Sequence, residues 1–222
     1  MLTLQKAGHR ELERYYPLFE TDFDSEELVG KLAIHRGMMN GSIDFLTFHE
    51  EESGMDAGCA LVLTKNLYGY VDLKYLAVMP WFRGRGLGVE LMRAIHKRYA
   101  DSQGIIAELT EFDDPDPDRL KKLRKFFARF GYEEIPSDYT IRGVKANLLV
   151  KPMQGRADVV PIAHRVIPDF YSRFLSPAAL WSMMEIRKAE KKSRMKRKRV
   201  HWTNRWILRT AMITPGLPIR PM

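Results

Sequence analysis

The stretch Leu76-Ala77-Val78-Met79-Pro80-Trp81-Phe82-Arg83-Gly84-Arg85-Gly86-Leu87-Gly88-Val89-Glu90-Leu91 constrains the fold more than any other part of the chain. An apolar run leads into it, and Pro80 stops the strand. After the glycines, Leu91, Met92, Ile95 and Tyr99 recur at helical spacing. A strand therefore turns through glycines into a helix. Glycines allow a tight turn and let main-chain N–H groups approach a ligand closely. The first helical turn adds unpaired N–H donors and the positive end of the dipole, which suits a diphosphate. Arg83 and Arg85 bring charge beside it.

Several nucleotide folds use this physics, and the surroundings discriminate among them. No Lys-Ser/Thr pair follows Gly86 or Gly88, which removes a P-loop NTPase. A dinucleotide-binding fingerprint needs its glycines directly after the first strand of a βαβ unit. Here a strand over residues 1–6, helices over 10–19 and about 25–40, and a meander of strands over 42–49, 57–63 and 68–78 come first. Downstream the pattern predicts a helix over 88–102, a strand over 104–110, a helix over 120–130 ended by Gly131, and strands over 132–135 and 146–150. The order β-α-α-β-β-β-α-β-α-β-β is an α/β layer arrangement with a mixed sheet.

At this point Arg83-x-x-Gly86-x-Gly88, preceded by Leu76-Ala77-Val78-x-Pro80, resembles motif A of the GNAT acetyltransferase superfamily. Lys125-Phe126-Phe127-Ala128-Arg129-Phe130-Gly131-Tyr132 resembles the family's following helix-to-strand element, which usually ends in Gly-Phe. The likeness covers residues 1–153 in element order, and sharply only about 75–100 and 120–135. It implies a GNAT fold: a mixed, mostly antiparallel sheet with a bulged, splayed strand and flanking helices. It also implies acetyl-CoA as cosubstrate. The pantetheine arm would bond to the backbone of Leu76, Ala77 and Val78, with the Val78 amide polarising the thioester carbonyl. The diphosphate would sit on the amides of Gly84, Arg85, Gly86, Leu87, Gly88 and Val89.

Acetyl transfer to an amine needs a neutral amine and a proton for the departing thiolate. In the family a Glu on the strand after motif A often serves as base, and Glu108 stands at that place, with Glu111 a less well matched competitor. The usual thiolate acid is a tyrosine four residues before the Gly of the Gly-Phe pair. Counting back from Gly131 gives Phe127, which has no proton to give. Three routes stay open: unaided departure of the thiolate, another hydroxyl such as Tyr139, or a domain that binds acyl-CoA without catalysing transfer. In the family the link between the first two helices lines the acceptor side. Here Glu20-Thr21-Asp22-Phe23-Asp24-Ser25-Glu26-Glu27 carries five carboxylates in eight residues. It reads either as a rim for a cationic amine acceptor or as a solvated, helix-capping loop.

Composition narrows the rest. With 45% hydrophobic and 29% charged residues the chain reads as an ordinary soluble protein. No apolar run is long enough for a membrane span. Residues 1–6 lack the layout of a signal peptide. Together with the single cysteine, Cys59, set in an apolar run, this gives a cytoplasmic reading. The six histidines are scattered without ligand spacing, so no metal site is expected.

The net charge of +8 is unevenly placed. Residues 155–222 hold 15 Lys/Arg against 4 Asp/Glu, leaving 21 against 24 for residues 1–154 from totals of 36 and 28. The chain is therefore divided into a domain over 1–153 and a basic, mainly helical extension over 154–222, with a helix expected from 177 to about 199. Three readings of the basic stretch 187–209 stand side by side. It contacts nucleic acid or the ribosome, adheres to an anionic membrane surface helped by Trp202 and Trp206, or is the solvated end of a helix whose apolar start packs on the domain or on a second subunit of a homodimer.

Overall fold

The computed structural model describes residues 2–23, 25, 27–111, 118–135, 137, 139–154 and 162–186. Its elements run β1 (Leu2–Lys6), α1 (His9–Asp22), α2 (Lys31–Met39), β2 (Ile43–Glu50), β3 (Asp56–Leu63) and β4 (Tyr70–Val78). A 3-10 turn, Pro80–Phe82, leads to α3 (Leu87–Arg98), β5 (Gly104–Thr110), α4 (Arg119–Ala128), β6 (Glu133–Ile135), β7 (Tyr139–Ile141) and β8 (Val144–Pro152). A π-helical turn, Ile162–Val166, then precedes α5 (Ile167–Ser172), α6 (Pro177–Met183) and β9 (Met184–Ile186). The strands form one sheet in the order β1-β2-β3-β4-β5-β8-β7-β9, with β6 also on β8. β4 and β5 pair in parallel, whereas the other described pairs are antiparallel. The α/β, mostly antiparallel sheet expected from the sequence is present.

β2, β3 and β4 are buried along almost their whole length because both faces of the sheet are covered. On one face α3 and α4 set Leu91, Met92, Ile95, Leu123, Phe126 and Phe127 against Val62, Leu73, Leu76 and Val78. On the other, α1 and α2 set Leu12, Tyr15, Tyr16, Phe19 and Ile34 against Phe45, Leu61 and Tyr75. The segment after residue 161 joins this second layer. Ile162, Val166, Ile167, Phe170, Tyr171 and Phe174 are all buried in the same cluster as α1 and α2.

Two elements differ from the periodicity. α2 begins at Lys31 rather than near residue 25. The Tyr75 hydroxyl donates to the Glu27 carbonyl at 2.9 Å and accepts the Val29 amide at 2.8 Å, holding that main chain in a loop. The helix predicted over 177–199 stops at Met183. There the chain becomes extended and pairs Met184–Ile186 with Ile141–Tyr139, using the open edge of β7. The basic stretch 187–209 lies outside the described residues.

Candidate active site

β4 and β5 pair only over Tyr70–Asp72 and Gly104–Ile106. Beyond that point β4 stays on β3 and β5 stays on β8, so the two strands part and a cleft opens between them. The parting has a local cause. Leu61 faces Tyr75 while Val62 faces Leu73, which leaves Lys74 as the extra residue of a bulge. A bulge bends its strand and raises the twist. Among the described residues, the edge of β4 that faces the cleft consequently has no ladder partner from Leu73 onward, so an extended ligand arm could pair with its main chain there.

One wall of the cleft is apolar, built by Leu120, Leu123, Phe126 and Phe127 of α4 together with Leu73, Leu76, Ala107 and Leu109. Its other end is polar: Glu27, Lys74, Glu108, Thr110 and Arg119, with Phe23 beside them. Phe127 stands where the family tyrosine is expected, on the cleft, its ring packed edge-on against Tyr132 at 5.0 Å. Leu76 lines the cleft, while Ala77 and Val78 are buried behind it.

The glycine turn lies past the end of β4. Gly84 and Gly86 have φ of 78° and 79°, left-handed values that disfavour any side chain. Gly86 is the N-cap of α3, and a Cβ there would meet nothing within 4 Å. Among the described residues, the amides of Gly84, Arg85, Gly86, Leu87 and Gly88 donate to no main-chain carbonyl, whereas the Val89 amide is already given to Gly86 at 2.9 Å. Gly88 is buried in the first turn of α3. Arg85 is exposed at the turn, its guanidinium 5.6 Å from the Phe82 ring. Arg83 turns inward instead. It donates to both oxygens of the fully buried Asp22, at 2.9 and 2.7 Å, and through Nε to the Val78 carbonyl at 3.1 Å. Its charge is spent on tying α1 to the end of β4.

Glu108 lies in the cleft but its carboxylate is occupied. Lys74 Nζ sits 2.8 Å from Oε2, with 3% of the lysine and 2% of the glutamate side chain exposed. The Tyr171 hydroxyl donates to Oε1 at 3.2 Å. Burial opposes the charge on Lys74, yet Glu108, Tyr75 and Asp72 together hold its pKa above the ordinary lysine range. Below the pair, Asp72 is wholly buried, and among the described residues neither oxygen has a hydrogen-bond donor. Burial first and the Glu108 charge second push its pKa well above the ordinary carboxylate range.

Glu111 is outside the cleft, bonded to Asn147 at 2.8 Å and near Arg124 and Lys145. Tyr139 is fully buried, does not line the cleft, and belongs to the face of the sheet opposite Phe127. Burial and then Glu108 hold its hydroxyl well above the usual tyrosine range, a poor state from which to give up a proton.

Sequence reasoning did not find Lys74, Tyr171 or Arg83's inward turn. A signal for the first was present: Asp72 and Lys74 interrupt an otherwise apolar strand, and buried charges need partners. Tyr171 comes from 63 residues further along than Glu108, where no local pattern could pair them.

Residues 44–134 match the family model of the acetyltransferase (GNAT) domain. The fold is shared with the ribosomal-protein-S18-alanine N-acetyltransferase of Escherichia coli, with a TM-score of 0.53 and 12% identity over 72% of this chain and 99% of that one. It is shared equally with the spermidine/spermine N-acetyltransferase of Vibrio cholerae, with a TM-score of 0.52 and 11% identity over 69% and 95%. An N-acetyltransferase of Staphylococcus aureus gives 0.51 and 9% over 69% and 99%. No curated protein matches the chain in sequence. No described helix is long and apolar enough to cross a membrane.

Proposed function

We propose that the protein is an N-acetyltransferase that moves an acetyl group from acetyl-CoA to a primary amine by direct attack. The observation that carries this reading is the cleft between β4 and β5, opened by the bulge at Lys74 and continued by the Gly84–Gly88 turn. The residues present fit the cosubstrate. An unladdered strand edge suits an amide-bearing arm, and left-handed glycines with open space at Gly86 leave room for a diphosphate on the N-terminus of α3. When bound there, acetyl-CoA supplies an activated thioester carbonyl. The chain's own part is to orient that group, keep water from it with the apolar wall of α4, and receive the proton of the amine.

In this reading Leu76, Ala77 and Val78 hold the arm, and Gly84, Arg85, Gly86, Leu87 and Gly88 hold the diphosphate. Glu108 fixes the polar end of the cleft through Lys74. A second reading, a module that binds acyl-CoA without turning it over, is favoured by one observation: a phenyl ring, not a phenol, at residue 127 on the cleft. Thiol release by purified protein against a panel of amines, polyamines, amino acids and peptides separates the two. Turnover with any of them supports the enzyme; acetyl-CoA binding with no thiol release supports the module.

A further inference from the structure

Glu27 lies on the link between α1 and α2, in the short stretch whose main chain is held by Tyr75. Its side chain lines the polar end of the cleft and the residue is only 8% exposed. The Thr110 hydroxyl donates to Oε1. Oε2 has no hydrogen-bond partner among the described residues. An ionised oxygen left in that state is costly, which makes it a receptor for a donor arriving from the cleft. Glu108 offers no such oxygen, because Lys74 and Tyr171 already use its carboxylate.

We infer that Glu27, rather than the glutamate on the strand after the glycine turn, takes the proton from the acceptor, and that the acceptor arrives as an alkylammonium. The inference rests on the N-acetyltransferase reading and assigns its missing base. The step balances. The ammonium R–NH3+ gives one proton to Oε2, and the amine lone pair then forms the N–C bond at the thioester carbonyl. As the C–S bond breaks, the second proton lost from nitrogen goes to the departing sulfur. Glu27 afterwards returns its proton to solvent, leaving an amide and a free thiol.

The groups facing Glu27 come from three elements. β4 presents Lys74, β5 presents Thr110 and Glu108, and α4 presents Arg119. Burial raises the pKa of Glu27, with Glu108 adding to it, and Lys74, Thr110 and Arg119 offset only part of that. A carboxylate with raised proton affinity is the better base, since an alkylammonium otherwise outranks it by many units.

The test is the pH profile of kcat/KM with an alkylamine, for wild type, Glu27→Gln and Glu27→Asp, with calorimetric acetyl-CoA binding alongside. An enzyme that takes up the ammonium and has its own base should show an acid limb from Glu27, above the ordinary carboxylate range, then a plateau up to the pKa of the amine. The limb should stay in place when amines of different pKa are used. Glu27→Gln, which keeps an oxygen for Thr110, should lose about 100-fold near neutral pH and become a unit-slope rise towards the amine pKa. Its acetyl-CoA affinity should stay within about twofold of wild type. Glu27→Asp should keep a plateau with a displaced acid limb, and it carries the decision if Glu27→Gln fails to fold. A wild-type plateau retained by Glu27→Gln, or an acid limb unmoved in Glu27→Asp, overturns the assignment while leaving the N-acetyltransferase reading intact. Wild type that binds acetyl-CoA but acetylates no amine overturns both.

Discussion

Lys74 and Glu108 face each other at 2.8 Å across the point where two parallel strands separate. The lysine is there because β4 carries one residue more than β3 can pair. The same irregularity that opens the cleft thus supplies the charge that steadies its far bank. Neither side chain reaches water, and the Tyr75 and Tyr171 rings lie 5.9 and 5.6 Å from the ammonium.

Removing one partner should therefore cost far more than removing a surface ion pair. Lys74→Met leaves the Glu108 carboxylate buried beside Asp72, and the expected loss is about 3–5 kcal/mol in urea denaturation. The double variant Lys74→Met with Glu108→Gln should recover most of it, because no bare charge remains. A single variant as stable as wild type would show that the pair is solvated in solution.

The glycine turn gives the sharpest binding prediction. Gly86→Glu places a carboxylate in the open space at the N-terminus of α3, at a φ of 79°. The left-handed backbone costs roughly 1–2 kcal/mol, which a folded domain tolerates. Acetyl-CoA binding should vanish in calorimetry while the thermal transition persists. Gly88→Glu should also abolish binding, but there burial of the residue brings a larger loss of stability. Wild-type affinity in folded Gly86→Glu would refute the diphosphate site.

Arg83 and Arg85 are two residues apart and should behave as different kinds of residue. Arg83→Ala removes the guanidinium that meets the fully buried Asp22, so it should destabilise by on the order of 3 kcal/mol. Arg85→Ala touches an exposed side chain and should change stability by no more than about 0.5 kcal/mol. It should instead weaken acetyl-CoA binding by about tenfold, the value of one charge-assisted contact to phosphate. The reverse pattern in melting and calorimetry would mean that both arginines have been misplaced.

Phe127 separates enzyme from binding module. A hydroxyl at this point of the cleft wall can protonate the departing thiolate, so Phe127→Tyr should raise turnover by up to about 100-fold. Acetyl-CoA affinity should barely move, since the gain falls in the transition state. Tyr139→Phe, away from the cleft, should leave the rate nearly unchanged. No thiol release from wild type or Phe127→Tyr would favour the module.

The sequence and the structure agree where the signal is local. Pro80, the alternating glycines and the Leu91-Met92-Ile95 face are enough to define strand, turn and helix, and the turn has the geometry they demand. Disagreement begins where a side chain chooses a distant partner. Arg83 reads as a phosphate ligand because it sits beside glycines, yet Asp22, 61 positions earlier, is buried and claims it. Glu108 reads as a free base because its strand position is right. Lys74 and Tyr171 reach it from 34 and 63 positions away, and neither is visible in a window of local periodicity. Two short strand pairings at the end of the sheet escaped for a related reason: β7 and β9 have three residues each, and β7 acquires its identity from β8 and β9, β9 from β7.

The contribution of Tyr171 and its neighbours bears on how the molecule is made. During synthesis the glycine turn and both layers' first helices leave the ribosome long before α5 does. Until Ile167, Phe170 and Tyr171 emerge, the cluster they share with Ile106, Tyr139 and Leu148 is incomplete, and Glu108 lacks its hydroxyl donor. The latest-made part of the described chain thus closes a layer begun by the earliest, a distant contact of the kind that slows folding. A nascent chain stalled near residue 155 should expose apolar surface to chaperones and proteases, and release past residue 186 should end that exposure.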